Sequence, residues 1–174
     1  MISSKHLITV VFILISLSFS ALAIEIEDKG ISFDPPQSFT LLSKDLIKIK
    51  FPTANPPELV YGNEDFSVTV AIKPSDIKAR KEDLKDILKA METRLPRVIP
   101  NLVWIKKEVT KFNEQTWLHI ELTSTAIDAD IHNNMYMTSH RSKLLAFNFN
   151  ATKKMYEKYK TELQQSFNSI RLVE

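Results

Sequence analysis

The chain contains no cysteine, which removes thiol nucleophiles, thiolate metal ligands, disulfide staples and lipidation at an N-terminal cysteine. Only two glycines occur, Gly30 and Gly62, and neither lies in a spaced motif. Loops that cradle phosphate need several glycines so that backbone N–H groups can approach the anion, so the familiar nucleotide-binding loops are excluded. No serine stands in a G-x-S-x-G elbow and no H-E-x-x-H pair occurs, which removes two common hydrolase signatures. Charge of one sign is lacking as well: 23 Lys and Arg face 21 Asp and Glu in 174 residues. Nucleic-acid binding rests on a clustered excess of cations, so no nucleic-acid partner is expected.

What the chain does have begins with a long apolar run. Lys5 precedes residues 7–19, which are apolar apart from Thr9, Ser16 and Ser18, and Ala21-Leu22-Ala23 follows with Glu25, Glu27 and Asp28 beyond it. A basic start, an apolar stretch and small residues before the cut are the three parts of a secretory signal peptide, so 1–23 are expected to be one, cleaved after Ala23 with Ala21 as the second small residue. The run from Leu7 to Ala23 would also serve as a retained anchor, being about the minimum 17 residues of a membrane span. The acidic residues just past A-x-A suit cleavage better. The expectation is a periplasmic or secreted protein with no stable membrane insertion after cleavage. Loss of Lys5 leaves 22 cations against 21 anions, net +1, in residues 24–174, a single domain large enough for one core. An exported chain without disulfides must be held by packing alone, which suits a bacterial envelope.

The patterning after the signal is mixed. Residues 31–33 read as a short strand stopped by Pro35-Pro36, and 46–51 alternate Ile47, Ile49 and Phe51 with Lys48 and Lys50, again a strand. Phe66, Val68, Val70 and Ile72 alternate in a third. Leu84, Ile87, Leu88, Met91 and Leu95 then recur at helical spacing, with Pro96 after the last turn. Residues 102–112 and 116–127 form a hairpin about Asn113-Glu114-Gln115. Residues 131–141 and 144–150 form a second, joined at Ser142-Lys143, which sets His140 opposite Leu145, Thr138 opposite Phe147 and Tyr136 opposite Phe149. A last helix, capped by Asn150 or Thr152, carries Tyr156, Tyr159, Leu163, Phe167 and Ile170 along one stripe. The fold class is α+β: a single antiparallel twisted β-sheet with helices packed on its faces.

The opening I-x-F-x-P-P of Ile31 to Pro36, a strand-rich middle with one amphipathic helix, and a closing helix that runs into Ser169-Ile170-Arg171 resemble the Mog/PsbP/DcrB-like family over nearly the whole mature chain. Phe39 stands where the family often carries Trp. The resemblance implies a small PsbP-like αβα sandwich that binds another protein and catalyses nothing. Its relatives include lumenal photosystem subunits, envelope proteins, a nuclear GTPase cofactor and chaperones of secreted toxins. These roles share no chemistry, so the resemblance does not choose among them.

Two constellations stand out among the residues. Trp117, His119 and Glu121 share one strand face, which the expected register brings near Met137 and Ser139. An exposed Trp beside Met suits partner recognition, so Trp117, His119 and Met137, with Asp128, Asn133 and Asn134 in the neighbouring loop, form the expected partner-binding set. Burial of that face beneath the second helix is the competing outcome. Asp128, Asp130 and His132 stand two residues apart, and in an extended segment all three project to one side within reach of a cation. They would support a metal-assisted hydrolase, whereas the ordinary reading is a polar connection between strands. A carrier for a hydrophobic ligand is a further alternative, consistent with ten Phe. His140 falls on an apolar face, where a core histidine bonded to backbone is expected. No catalytic residue and no cofactor is expected. The function that follows is an exported, non-enzymatic binding protein with a protein partner at the cell envelope.

Overall fold

The computed structural model describes residues 23–126 and 129–173. Among these residues ten strands form: β1 (Ile24–Ile26), β2 (Ile31–Phe33), β3 (Thr40–Leu41), β4 (Leu59–Gly62), β5 (Val68–Lys78), β6 (Val103–Phe112), β7 (Gln115–Thr125), β8 (Asp130–His140), β9 (Lys143–Thr152) and β10 (Arg171–Leu172). Three helices join them: α1 (Lys44–Lys50), α2 (Leu84–Val98) and α3 (Lys153–Ser169). Seven strands make one antiparallel sheet in the order β3-β4-β5-β9-β8-β7-β6, and β1-β2-β10 make a small second sheet. The expected α+β sandwich is what forms, with the small sheet added to it.

Strand alternation divides the core in two. Val70, Ile72, Phe147, Phe149, Tyr136 and Trp117 point to the face covered by α3 and the small sheet, where they meet Phe33, Tyr159, Leu163 and Phe167. Phe167 is the hub: its ring stacks on Tyr136 at 3.7 Å and meets Trp117 edge-on at 5.3 Å. Such aromatic pairs add about 0.5–1.5 kcal/mol each beyond area burial. The opposite face is covered in two pieces. Leu118, Ile120, Leu122 and Met137 pack against Leu84, Ile87, Leu88 and Met91 of α2, while Ile47 of α1 packs against Val60 and Ala71.

Three local expectations are corrected. Residues 46–51 are not a strand: Lys44–Lys50 is helical, with the Ser43 hydroxyl accepting a bond from the Leu46 N–H. Asp45 in the first turn and Lys48 and Lys50 in the last complement the helix dipole, and of the alternating isoleucines only Ile47 is buried, Ile49 being 76% exposed. The strand expected from Phe66 begins at Val68, because Phe66 sits at φ 54° in the preceding turn. The second hairpin turns on Arg141-Ser142, both at positive φ (48° and 57°), so His140 pairs with Lys143, Thr138 with Leu145 and Tyr136 with Phe147. The shift against the expected register is two residues, which keeps each side chain on its face and changes only its neighbour.

The other expected elements form where the sequence placed them, and β1, β3, β4 and β10 are additional. Asn113-Glu114 closes the first hairpin with φ of 47° and 65°, the twist-compatible geometry of a two-residue turn. Pro96, expected after the last turn of α2, lies inside it, and Thr152 occupies the N-cap position of α3. His140 donates from Nε2 to the Lys29 carbonyl at 2.6 Å, the backbone bond expected of a core histidine.

Candidate functional site

The sheet separates the residues that the sequence had grouped. Trp117 is 2% exposed and lies under α3. Met137 pairs with Leu118, so it shares that residue's face and packs beside α2, on the opposite side of the sheet from Trp117. Neither presents the exposed Trp-Met surface expected for partner recognition; the aromatic stripe of α3 covers the one and α2 covers the other. Asn133 is half-buried on Met137's side, where its amide donates to the Ser124 hydroxyl at 3.0 Å. Asp128 lies outside the described residues.

The polar residues on Trp117's face do come together. His132 Nε2 donates to Glu121 Oε1 at 2.7 Å, the Tyr156 hydroxyl donates to the same oxygen at 3.2 Å, and the His132 and Tyr156 rings stack at 3.4 Å. One step along the sheet, His119 Nε2 donates to Asn134 Oδ1 at 2.7 Å while its ring stacks on Tyr136 at 4.3 Å. Strand pairing sets this up: Glu121 lies opposite Asn134 and His119 opposite Tyr136, so β7 and β8 each supply alternate residues to one surface. Tyr156 arrives from the first turns of α3.

The electrostatics follow from the geometry. The bond from His132 holds the Glu121 carboxyl below the usual carboxylate range. Burial pulls His119 below the ordinary histidine value and so keeps its ring neutral near pH 7. Burial pushes the Tyr136 hydroxyl up to about 12, and burial together with the Glu121 charge does the same to Tyr156. A carboxylate bonded to an imidazole is half of a general-base assembly. Here its remaining bond goes to a phenol that also covers the ring, and no serine or threonine hydroxyl bonds to either histidine among the described residues. The cluster joins α3 to the sheet.

Asp130 and His132 do not converge on a shared site. Asp130 accepts from the Thr125 hydroxyl at 2.9 Å and pairs with Lys153 at 3.4 Å, whereas His132 is turned to Glu121. Among the described residues no group of three His, Asp or Glu is placed to hold a metal ion. The sequence reading placed Glu121 on the correct face but gave it no role, and it took Tyr156 only as part of an apolar stripe. Pairing His132 with Thr123 in β7 is the signal that brings Glu121 within reach.

No protein-family model matches the sequence. No curated protein matches it. Solved structures do. Cyanobacterial PsbP (CyanoP) from Synechocystis superposes with a TM-score of 0.61 at 13% identity, over 87% of this chain and 91% of that one. The fold is PsbP-like. LpqN of Mycobacterium tuberculosis, described as involved in cell envelope biogenesis, superposes with a TM-score of 0.61 at 11% identity, over 87% of this chain and 90% of its own. PA94 of Pseudomonas aeruginosa, a protein of unknown function, gives 0.52 at 10% identity, over 87% and 95%.

Proposed function

We propose that this chain is an exported, non-enzymatic accessory protein of the bacterial envelope that acts by binding another protein. The observation that carries the reading is the closed state of its most reactive-looking cluster: Glu121, His132 and Tyr156 satisfy one another beneath α3, and His132 and His119 are each 7% exposed. Chemistry needs a site where a substrate atom can reach the base, and both histidines here are turned to partners within the protein. Binding needs only surface. The N-terminal apolar run with Ala21 and Ala23 supports export, and the PsbP-like LpqN, involved in cell envelope biogenesis, supports an envelope role.

The test is crosslinking of the full chain, expressed with its own N-terminus in its own cell envelope, followed by mass spectrometry of the covalently captured proteins. One dominant partner above control is expected. No partner above control, together with stoichiometric metal in the purified protein that is lost on Asp130→Ala, would overturn the reading in favour of a metal-dependent enzyme.

A further inference from the structure

β6 is an end strand of the large sheet and pairs with β7 alone among the described residues. Its hairpin turns on two residues, so the flanking pair Phe112 and Gln115 exchanges hydrogen bonds, and alternation then directs the backbone groups of Lys111, Val109 and Lys107 away from β7. Such a row of unpaired N–H and C=O groups is a template for one more strand. The opposite edge, β3, is two residues long and offers no comparable row.

Beside this edge lies a cavity of about 490 Å³ between the start of α2 and β6, with Lys81, Glu82 and Lys85 on one side and Val109, Lys111 and Thr116 on the other. Its charge is unbalanced. Glu82 is engaged with Arg80 at 3.2 Å, and Lys81, Lys85 and Lys111 have no carboxylate partner among the described residues. Thr116 is 8% exposed, and its hydroxyl is buried there without a hydrogen-bond partner. The first turn of α2 adds partial positive charge of the same sign. Three cations therefore converge where the side chains of an added strand would point, with the unpartnered Thr116 hydroxyl buried behind them.

A second copy is disfavoured in the register that uses all three outward residues, because antiparallel pairing of β6 with itself about Val109 would set Lys107 of each chain opposite Lys111 of the other. We propose that β6 accepts an additional strand from a partner protein, an extended segment carrying a Glu or Asp whose carboxylate enters the cavity among Lys81, Lys85 and Lys111. The inference rests on the protein-binding reading and names the partner's chemistry and the surface that takes it. Backbone pairing supplies the affinity and the basic cavity selects the sequence.

The experiment uses fluorescence anisotropy with the purified protein and two short, end-capped synthetic peptides, one alternating Val with Glu and the other alternating Val with Lys. The Glu peptide is expected to bind at least about tenfold more tightly than the Lys peptide, with the gap narrowing as salt rises. Lys85→Glu/Lys111→Glu, at two exposed positions, is expected to reverse the preference without changing the melting temperature. Val109→Pro, which removes an outward N–H, is expected to weaken both. Equal binding of the two peptides, binding of neither, or an unchanged preference in the double lysine variant would overturn the inference. The protein-binding reading is judged separately, by crosslinking in the envelope, which does not depend on this edge.

Discussion

The two faces of the large sheet are finished in opposite ways. On one, a helix of 17 residues and the small sheet cover a continuous aromatic layer, and His119, Glu121, His132, Asn134 and Tyr156 bond one another there, with Trp117 Nε1 and Ser166 Oγ buried without partners. On the other, α1 and α2 cover the two ends, and between them Met135, Ala146, Asn148 and Asn150 are half-buried, with the amide oxygens of both asparagines buried and unpartnered. A face whose groups satisfy one another tolerates little change, because each substitution strands a partner. A face covered in pieces can change its surface with less effect on the fold.

Trp117→Ala should break the first face hardest. Removing a fully buried indole that packs on Tyr136, Phe147 and Phe167 is expected to cost about 3–5 kcal/mol. Met135→Ala, on the other face and only half-buried, is expected to cost less than about 2 kcal/mol. Urea denaturation measures both, with Trp117→Phe as the milder variant should the alanine protein not fold. Equal costs would erase the distinction between the faces.

Gly30→Ala comes next and tests how the small sheet is latched to the aromatic face. Gly30 sits at φ 61°, and a Cβ there would run into the Val173 carbonyl and the Arg141 guanidinium, both backed by the bonds that close the β2 and β10 ends. A loss of about 1–3 kcal/mol is expected. A wild-type melting curve would mean that this corner yields.

Acid should act through the closed face. His119 has a depressed folded pKa, so its contribution is present above the unfolded value near 6.5 and declines as pH falls below it. Glu121 is also depressed, so its contribution is held above the unfolded carboxyl value and is lost as pH falls through the lower folded one. Stability is therefore expected to fall in two stages on acidification. His119→Gln should flatten the upper stage and Glu121→Gln the lower, the latter costing about 1–3 kcal/mol at pH 7 by removing a charged acceptor. A single stage unaffected by either variant would detach the histidine cluster from the acid response.

Much of this was legible in the sequence, and the losses have particular causes. β5, β7, β8 and β9 alternate large apolar side chains with smaller or polar ones, although both faces of β5 and β7 are buried, and α3 buries one stripe, so alternation or helical spacing found them. α1 escaped because seven residues offer too few turns for a period, and alternating Ile and Lys imitates a strand; Ser43 and the charge order from Asp45 to Lys50 were the available signals. The register of β8 against β9 escaped because Arg141-Ser142 adopts a turn that Asn-Gly would have announced. Glu121 escaped because its partners His132 and Tyr156 come from another strand and a helix, a meeting that no local pattern encodes.

The finest comparison uses the same substitution on adjacent strands. Asn134→Leu on the closed face leaves the His119 N–H without its acceptor and is expected to cost about 1–3 kcal/mol. Asn148→Leu on the other face removes an amide oxygen that is buried without a donor, and the new side chain sits between Ala71 and Met135 on the flanking strands. Its effect is expected to be small and on the stabilising side, about 0.5–1 kcal/mol, because a desolvated acceptor is exchanged for apolar contact. Urea midpoints of the two variants decide the matter. Opposite signs would place the polar specificity of the sheet on the α3 side and leave the other side free to be shaped by what it binds. A loss at Asn148 as large as that at Asn134 would mean that its amide has work in the fold itself, and the two faces would then differ in cover but not in constraint.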